Sequence, residues 1–500
     1  MGLLKNRIRT ITGEDTTWYV ATSRLLFYVL HPRRYANLAT KIVNRVLHPA
    51  PNYQNWISQR SFTIQTSDVT DEPIHFIIFT HTNQNQTYPH VTCLPPGRFP
   101  LPEANNTYIL YLEKGDSLHP NACALIASTI SRTNANIITF DWDEMQGHKR
   151  VNPHFMPAWS PVRLWFDAYI RNAVCVSLAA IDSLLEPYGW NESLRQLSLK
   201  PMQASRIAEV LLTKTNQPNA QKQQPLIVGN PLVSIIIPTH NKAHLVKQCI
   251  DSIVERSSYS HYEIVLVDNN SNQPELLALV QTYQTQLAHK FVCVKAAYPF
   301  NFSQLINDGA NHCNGSYLVL LNNDTEVKSP DWLEQLLMVA SHPLSGAVGA
   351  KLLYPDDTIQ HAGIRLHPQN ISNHVYLGKQ ANQHVYENAL NTLQEYCAVT
   401  AACLMVSKAK FDLIGGFDVA YRVEYNDLDF CLRLLEQGLH NVYTPRAVLY
   451  HYESASRQHP MASRKSAQQH YAERLQMETR WKPYIQNDPY GHPNRELFRL

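Results

Sequence analysis

The sequence lacks the marks of several large protein classes. Its nine cysteines form no C-x-x-C pair and are odd in number, which argues against a zinc ribbon or a disulfide framework and for the reduced thiols of a cytoplasmic protein. No G-x-x-x-x-G-K-[ST] loop is present, and no G-x-G-x-x-G opens the first helix of a βαβ unit, so P-loop and dinucleotide-binding readings lose their main support. The start has no basic, apolar and small-residue succession of a secretion signal. Its longest apolar run, "LLFYVL" at 25 to 30, is too short to cross a bilayer, and the expectation is a soluble or peripheral protein. Charge of one sign is scarce overall, with a formal balance of +2. It is uneven, however: residues 1 to 70 hold nine Lys/Arg against three Asp/Glu, a local +6 that leaves the rest near −4. Nothing in the body of the protein suggests nucleic acid.

What is present is 500 residues with 44% hydrophobic content, enough for two or three cores. A polar, Gln/Asn/Pro-rich stretch, "TKTNQPNAQKQQP", places an expected linker over 201 to 230. After it, "PLVSIIIPTHN" (231 to 241) predicts a strand. A helical pattern with Val246, Ile250 and Ile253 on one face follows, and then a second strand, "YEIVLVDNNS" (262 to 271). Strand, helix and strand in this order make a parallel βαβ unit whose polar loops share one sheet edge, where ligands of open α/β sheets bind. A further helix leads into "YLVLLNNDTEV" (317 to 327), which brings "NND" to the same edge. Asparagine and aspartate cap strands and turns, but three polar loops converging on one crevice read as a site. An aspartate there suits Mg²⁺ or Mn²⁺, and such an ion would clamp a diphosphate.

In order and spacing, "VSIIIPTHN", "VLVDNNS", "FNFSQLINDGA", "LVLLNNDTEV", "TAACLMVSK", "IGGFDVAY", "YNDLDFCLRL" and "PRAVLYHYESAS" resemble an inverting family 2 glycosyltransferase of the GT-A fold over about 231 to 460. The nearest group is the rhamnosyltransferase-like enzymes that build bacterial surface polysaccharides. The resemblance implies an α/β, Rossmann-like, mostly parallel catalytic sheet and a divalent metal cofactor, Mn²⁺ or Mg²⁺. It also implies a UDP- or dTDP-linked sugar donor and a glycan or lipid-linked glycan acceptor. Pro238, Thr239, Asn241 and Asp268 match the family's nucleotide-binding positions, Asp268 as acceptor from the base. "NND" matches the metal motif D-x-D. Asp324 is then the ligand, and Asn322, departing from the commoner aspartate, touches ribose or a metal-bound water. His451 matches a late histidine that completes the metal shell. Asp427 stands at the position of the catalytic base, with Asn426 where glutamate is usual. Asp429 and Arg433 are expected to orient the base, and Gly415 and Gly416 to contact acceptor or diphosphate.

The first half repeats the second imperfectly. "NNTYILYLEKGDSLHPNACALI" (105 to 126) runs parallel to "NGSYLVLLNNDTEVKSPDWLEQLL" (314 to 337), so residues 51 to 200 are expected to form a degenerate, partial GT-A-like domain. There Glu113, Lys114 and Gly115 stand where Asn322, Asn323 and Asp324 stand, and no counterpart of the base or of the late histidine precedes the linker. Such a domain serves packing, acceptor binding or homodimer formation. From Thr16 to Thr66 no acidic residue occurs. Residues 33 to 47 project Tyr35, Leu38, Ile42 and Val46 on one helical face beside Arg34, Lys41 and Arg45. Residues 1 to 50 are thus expected to be a basic amphipathic segment, fit either for an anionic membrane surface at the inner face of the cytoplasmic membrane or for packing. Residues 461 to 500 read as a C-terminal helix and tail. The reading as an enzyme competes with a glycan- or nucleotide-sugar-binding pseudoenzyme, favoured by Asn322 and Asn426 and opposed by Asp324, Asp427 and His451. Nucleotidyl transfer is disfavoured by the first loop, "THNKAH".

Overall fold

The computed structural model describes residues 51–60, 73–96, 106–167, 169–215, 229–452 and 464–498. The basic segment 1 to 50 lies outside them. Residues 51–60 and 496–498 belong to a small unit of their own. In it the helix Tyr53–Ser58 is capped by Asn52, and Trp56 meets Phe498 edge-on at 5.3 Å. No helix of the described residues is long and apolar enough to cross a membrane.

The rest of the described chain is built on two large sheets. The first comprises β1 (His75–Phe79), β2 (Val91–Leu94), β3 (Thr107–Tyr111), β4 (Ser117–Leu118), β5 (Ile137–Gln146), β6 (Lys149–His154), β7 (Val174–Ser177) and β8 (Ala204–Lys214). Its order is β2-β1-β3-β7-β5-β8-β4, with β6 on β5. The expected linker over 201 to 230 is corrected here, because β8 fills its first half and pairs in parallel with β5. Its apolar residues Val210, Leu211 and Leu212 are buried, which a solvated linker would not allow.

The second sheet comprises β9 (Val233–Thr239), β10 (Tyr262–Asp268), β11 (Phe291–Lys295), β12 (Tyr317–Leu321), β13 (Thr325–Val327), β14 (Ser345–Leu353), β15 (Ile359–His361), β18 (Gln394–Tyr396), β19 (Cys403–Ser407) and β20 (His440–His451). Between them β16 (Ile364–His367) and β17 (Ile371–His374) form a separate hairpin. The order is β11-β10-β9-β12-β19-β14-β20-β13. The four strands β11 to β12 are mutually parallel, and β19 runs against them. β9, β10 and β12 are apolar and almost wholly buried because helices cover both faces.

The two sheets repeat one plan. β1, β2, β3, β4, β5, β6, β7 and β8 correspond in chain order to β9, β10, β12, β13, β14, β15, β19 and β20. Every shared pairing keeps its direction: β1·β3 and β9·β12 are parallel, β3·β7 and β12·β19 antiparallel, β5·β8 and β14·β20 parallel, β4·β8 and β13·β20 antiparallel. Among the described residues the first sheet thus repeats eight of the ten strands of the second, with no counterpart of β11 or β18, and β8, which its polar surroundings make read as linker, is one of the eight.

The halves are fastened by buried polar bridges. Val162, Trp165 and Phe166 of the helix Pro161–Phe166 join the second sheet's core. Arg163 between them is buried, its N–H donating to Glu395 Oε1 at 3.0 Å. From the tail, His492 Nε2 meets Asp141 Oδ1 at 3.1 Å, and Arg495 Nη2 donates to the Phe155 carbonyl at 2.7 Å.

Candidate active site

A cleft of about 950 Å³ opens where β9, β10 and β12 end. Pro238, Thr239 and Asn241 line it, as do Asn322, Asn323, Asp324, Asp427 and His451. Pro238 tolerates its place near the end of β9, and beyond it Asn241 and Lys242 take left-handed backbone angles, φ +57° and +59°. That turn puts the Asn241 Oδ1 against the N–H groups of Asn272 and Gln273, at 2.9 and 3.1 Å. Asn241 therefore joins two cleft loops while lining the cavity. Thr239 Oγ1 accepts from Asn323 Nδ2 at 2.9 Å, tying the first loop to the "NND" turn.

Asp268 departs from the expectation of base recognition. It is 1% exposed and does not line the cleft. Its Oδ2 pairs with Lys295 and its Oδ1 accepts from Ser271 N at 3.0 Å. Burial alone would raise its pKa, but these bonds outweigh it and hold the carboxylate below its usual range. Its neighbours Asn269 and Asn270 line the cleft instead.

β13 and β20 pair with Thr325 opposite His451, a register that brings the imidazole beside the turn. His451 Nε2 stands 3.3 Å from Asp324 Oδ1 and 3.4 Å from Asn322 Nδ2. Asp324 and His451 are each 5% exposed. Among the described residues the buried Nδ1 of His451 has no hydrogen-bond partner. A carboxylate and an imidazole at this separation fit a divalent ion that takes its other ligands from phosphate and water. Among the described residues no three His, Cys, Asp or Glu side chains gather to hold an ion by themselves.

Asp427 lies in the first turn of the helix Asn426–Glu436. Tyr425 enters the helix at φ +59°. Asn426 Oδ1 accepts from Asp427 N at 2.8 Å, while its Nδ2 donates to the Val423 carbonyl at 3.2 Å. Asp427 Oδ2 accepts from Ala401 N at 3.2 Å, and the next residue's carbonyl, Ala402 O, accepts from Asn322 N at 3.1 Å. Two consecutive residues before β19 thus hold both the "NND" turn and the Asp427 carboxylate.

Asp429 and Arg433 stand apart from the Asp427 carboxylate. Asp429, fully buried, pairs with Arg433 Nε at 2.8 Å and accepts from Trp481 Nε1 at 3.0 Å. Arg433 Nη1 donates to the Ile414 carbonyl at 2.7 Å. They brace the helix as a body rather than touch the base. Gly415 and Gly416, expected to contact acceptor or diphosphate, are not among the residues lining the cleft. Gly416, at φ +68°, lies where a Cβ would come within 2.6 Å of Asn307 Oδ1, so it serves a tight turn.

The cleft also contains residues that sequence reasoning passed over. Glu424 and Tyr425 adjoin the base motif in the chain, a local signal that was available. Tyr298 comes from a loop, Gln360 from β15 and His374 from the end of β17, none with such a mark. Behind them, buried His361 has its Nδ1 3.1 Å from His374 Nδ1. Burial, with His374 and His451 nearby, holds its pKa well below the usual histidine value, so it stays neutral.

Residues 234–400 match the family model described as Glycosyl transferase family 2. An uncharacterized protein of Sinorhizobium fredii, y4gI, is 31% identical over 448 residues, which are 79% of this chain and 49% of that protein. The O-antigen biosynthesis protein RfbC of Myxococcus xanthus is 28% identical over 447 residues, 78% of this chain and 34% of that protein. The chain thus spans half or less of the length of these two relatives. The rhamnosyltransferase WbbL of Escherichia coli is 24% identical over 235 residues, 44% of this chain and 83% of that protein. The candidate residues gather in one cleft at the carboxyl ends of β9, β10 and β12, and residues 234–400, which carry those strands, are a glycosyltransferase family 2 domain.

Proposed function

We propose that the protein transfers a sugar from a nucleoside diphosphate donor to a hydroxyl of a glycan acceptor, with inversion at the anomeric carbon. The observation that carries this reading is the pair of backbone bonds at Ala401 and Ala402, which hold a turn suited to the diphosphate and a carboxylate suited to the acceptor on adjacent residues. The acceptor hydroxyl gives its proton to Asp427. Its oxygen forms the new bond to the anomeric carbon as the bond from that carbon to the diphosphate breaks and the nucleoside diphosphate leaves. A positioned base of this kind contributes roughly 10²- to 10⁴-fold. Asp324 and His451 would hold a divalent ion, which when bound supplies positive charge to the diphosphate. Asn426 does the structural work of a cap and leaves the proton chemistry to Asp427.

The similarity to the O-antigen biosynthesis protein RfbC and the rhamnosyltransferase WbbL supports a bacterial surface polysaccharide as product and a deoxyhexose among the candidate sugars. The test is incubation of the pure full-length protein with a panel of UDP-, dTDP- and GDP-linked sugars and Mn²⁺. Slow hydrolysis of one donor, lost in Asp427→Asn, is expected. Uniform inertness toward every donor, with intact nucleotide binding, would favour a binding protein.

A further inference from the structure

Because the two sheets share one strand plan, their registers show which residues of the first half occupy the positions of the site in the second. Tyr317 lies opposite Ser407 and Tyr108 opposite Ser177, and each serine leads directly into a helix. Counting on from those tyrosines puts Glu113 at the position of Asn322 and Gly115 at that of Asp324. At the sheet's far edge Val327 lies opposite Leu449, and Leu118 opposite Leu212. The inner neighbours give the same answer: Leu352 lies opposite Leu449, and Trp142 opposite Leu212. Two residues on, Lys214 stands where the second half has His451.

We infer that the Lys214 ammonium is a resident cation at the position where the second half would hold its divalent ion, so that the first half is a site neutralised from within and takes no metal. Lys214 Nζ lies 3.0 Å from Asp116 Oδ2 and 3.3 Å from Glu113 Oε2. The lysine side chain is 1% exposed and the Asp116 side chain fully buried. Glu113 is further held by Asn172 Nδ2 at 3.3 Å, and Asn172 by Trp190 Nε1 at 3.0 Å. A buried ammonium persists only with such partners, and the buried Asp116 carboxylate likewise needs a cation, while the Glu113 side chain remains 37% exposed. At Gly115, φ +94°, a Cβ would come within 2.2 Å of Thr215 Oγ1. No carboxylate can stand there as Asp324 does. A tethered cation cannot be exchanged, so the charge of this loop is balanced whatever the metal supply.

The inference rests on the reading of Asp324 and His451 as metal ligands, and the experiment separates the two. Binding of Mn²⁺ alone to the full-length protein is counted by loss of the free-ion signal in electron paramagnetic resonance. Asp324→Ala, with Lys214 in place, is expected to bind no Mn²⁺. Adding Lys214→Ala, or Lys214→His where the alanine variant does not fold, is expected to create one Mn²⁺ site per chain between Glu113 and Asp116. Adding Lys214→Arg is expected to leave the protein folded and without Mn²⁺. Failure of a folded alanine or histidine variant to gain Mn²⁺ would overturn the inference. Should Asp324→Ala itself bind Mn²⁺, the further changes Glu113→Gln and Asp116→Asn decide: loss of the ion would refute the resident cation, and its persistence would refute Asp324 as ligand.

Discussion

The loop that delivers the base is held by a carboxylate from outside the sheet, and removing that charge should affect turnover more than folding. Glu473, on the helix Arg464–Arg480, is 4% exposed. Its Oε1 accepts from Arg422 N at 3.0 Å and its Oε2 from Glu424 N at 2.8 Å. The loop so held runs through Tyr425, whose ring stacks 6.3 Å from His470, directly into Asn426 and Asp427. In Glu473→Gln the side chain keeps its shape, but one oxygen becomes an NH₂ group facing a backbone donor. A hydrogen bond to a charged group is worth about 1.5–3 kcal/mol. Losing one and opposing two donors should therefore favour loop opening by about 2 kcal/mol, roughly 30-fold in the local equilibrium. Hydrogen exchange at the amides of Arg422 and Glu424 reads this directly and should quicken by about that factor. Donor hydrolysis should fall while the dissociation constant of the nucleoside diphosphate holds. Unchanged exchange at those two amides together with a wild-type hydrolysis rate would refute the reasoning.

Other expectations follow from the cleft and from the junction between the halves. Asp324→Ala should abolish Mn²⁺-dependent binding of the nucleoside diphosphate in titration calorimetry and leave the far-ultraviolet dichroism unchanged, since the residue lies at a strand end. Asp427→Asn should keep that binding and lower transfer by about 10²-fold or more; a wild-type rate would move the base elsewhere. Trp165→Ala, which empties a place in the second sheet's core, should cost about 3–5 kcal/mol in denaturant unfolding. Glu387 has a side chain only 12% exposed, and this desolvation would raise its pKa, but Arg495, His154 and Arg163 bring it down to about 2. With a folded pKa below the unfolded one, its contribution is complete above about pH 4.5 and is lost as pH falls toward 2. The loss is on the order of 3 kcal/mol. The Glu387→Gln variant should lose this part of the acid dependence of melting, and an identical profile would contradict the assignment.

Local pattern carried most of what was legible. β9, β10 and β12 are legible as short β-branched runs ending in polar loops, and Asp324 stands out at the end of such a run, whereas Asp427 and His451 carry no local mark and are singled out only by the resemblance in order and spacing. What escaped depended on partners distant in the chain. β8 was taken for linker because polar composition follows it, whereas its strand character comes from pairing with β5, over 60 residues earlier. Asp268 is expected from the resemblance to accept from a base, and nothing in "VDNNS" reveals the Lys295 that pairs with it. Gly415 and Gly416 read as a substrate loop, but Gly416 is required by the packing of Asn307, whose side chain bonds Phe417 on both its carbonyl and its N–H. The lysine of the first half was invisible for the same reason as β8: its acidic partners precede it by about 100 residues.

The backbone bonds at Ala401 and Ala402 also bear on how such an enzyme changes over time. In the proposed reaction, the separation between the diphosphate at the "NND" turn and the proton acceptor Asp427 would be set by main-chain atoms of two small buried residues. The walls that would distinguish one sugar from another, Tyr298, Gln360 and His374 among them, come from a separate loop and from β15 and β17. Substitutions in those walls can alter which donor or acceptor fits without moving the reacting groups relative to each other. Selectivity and chemistry are inherited here as separable traits, and a bulkier residue at position 401 or 402 would couple them again.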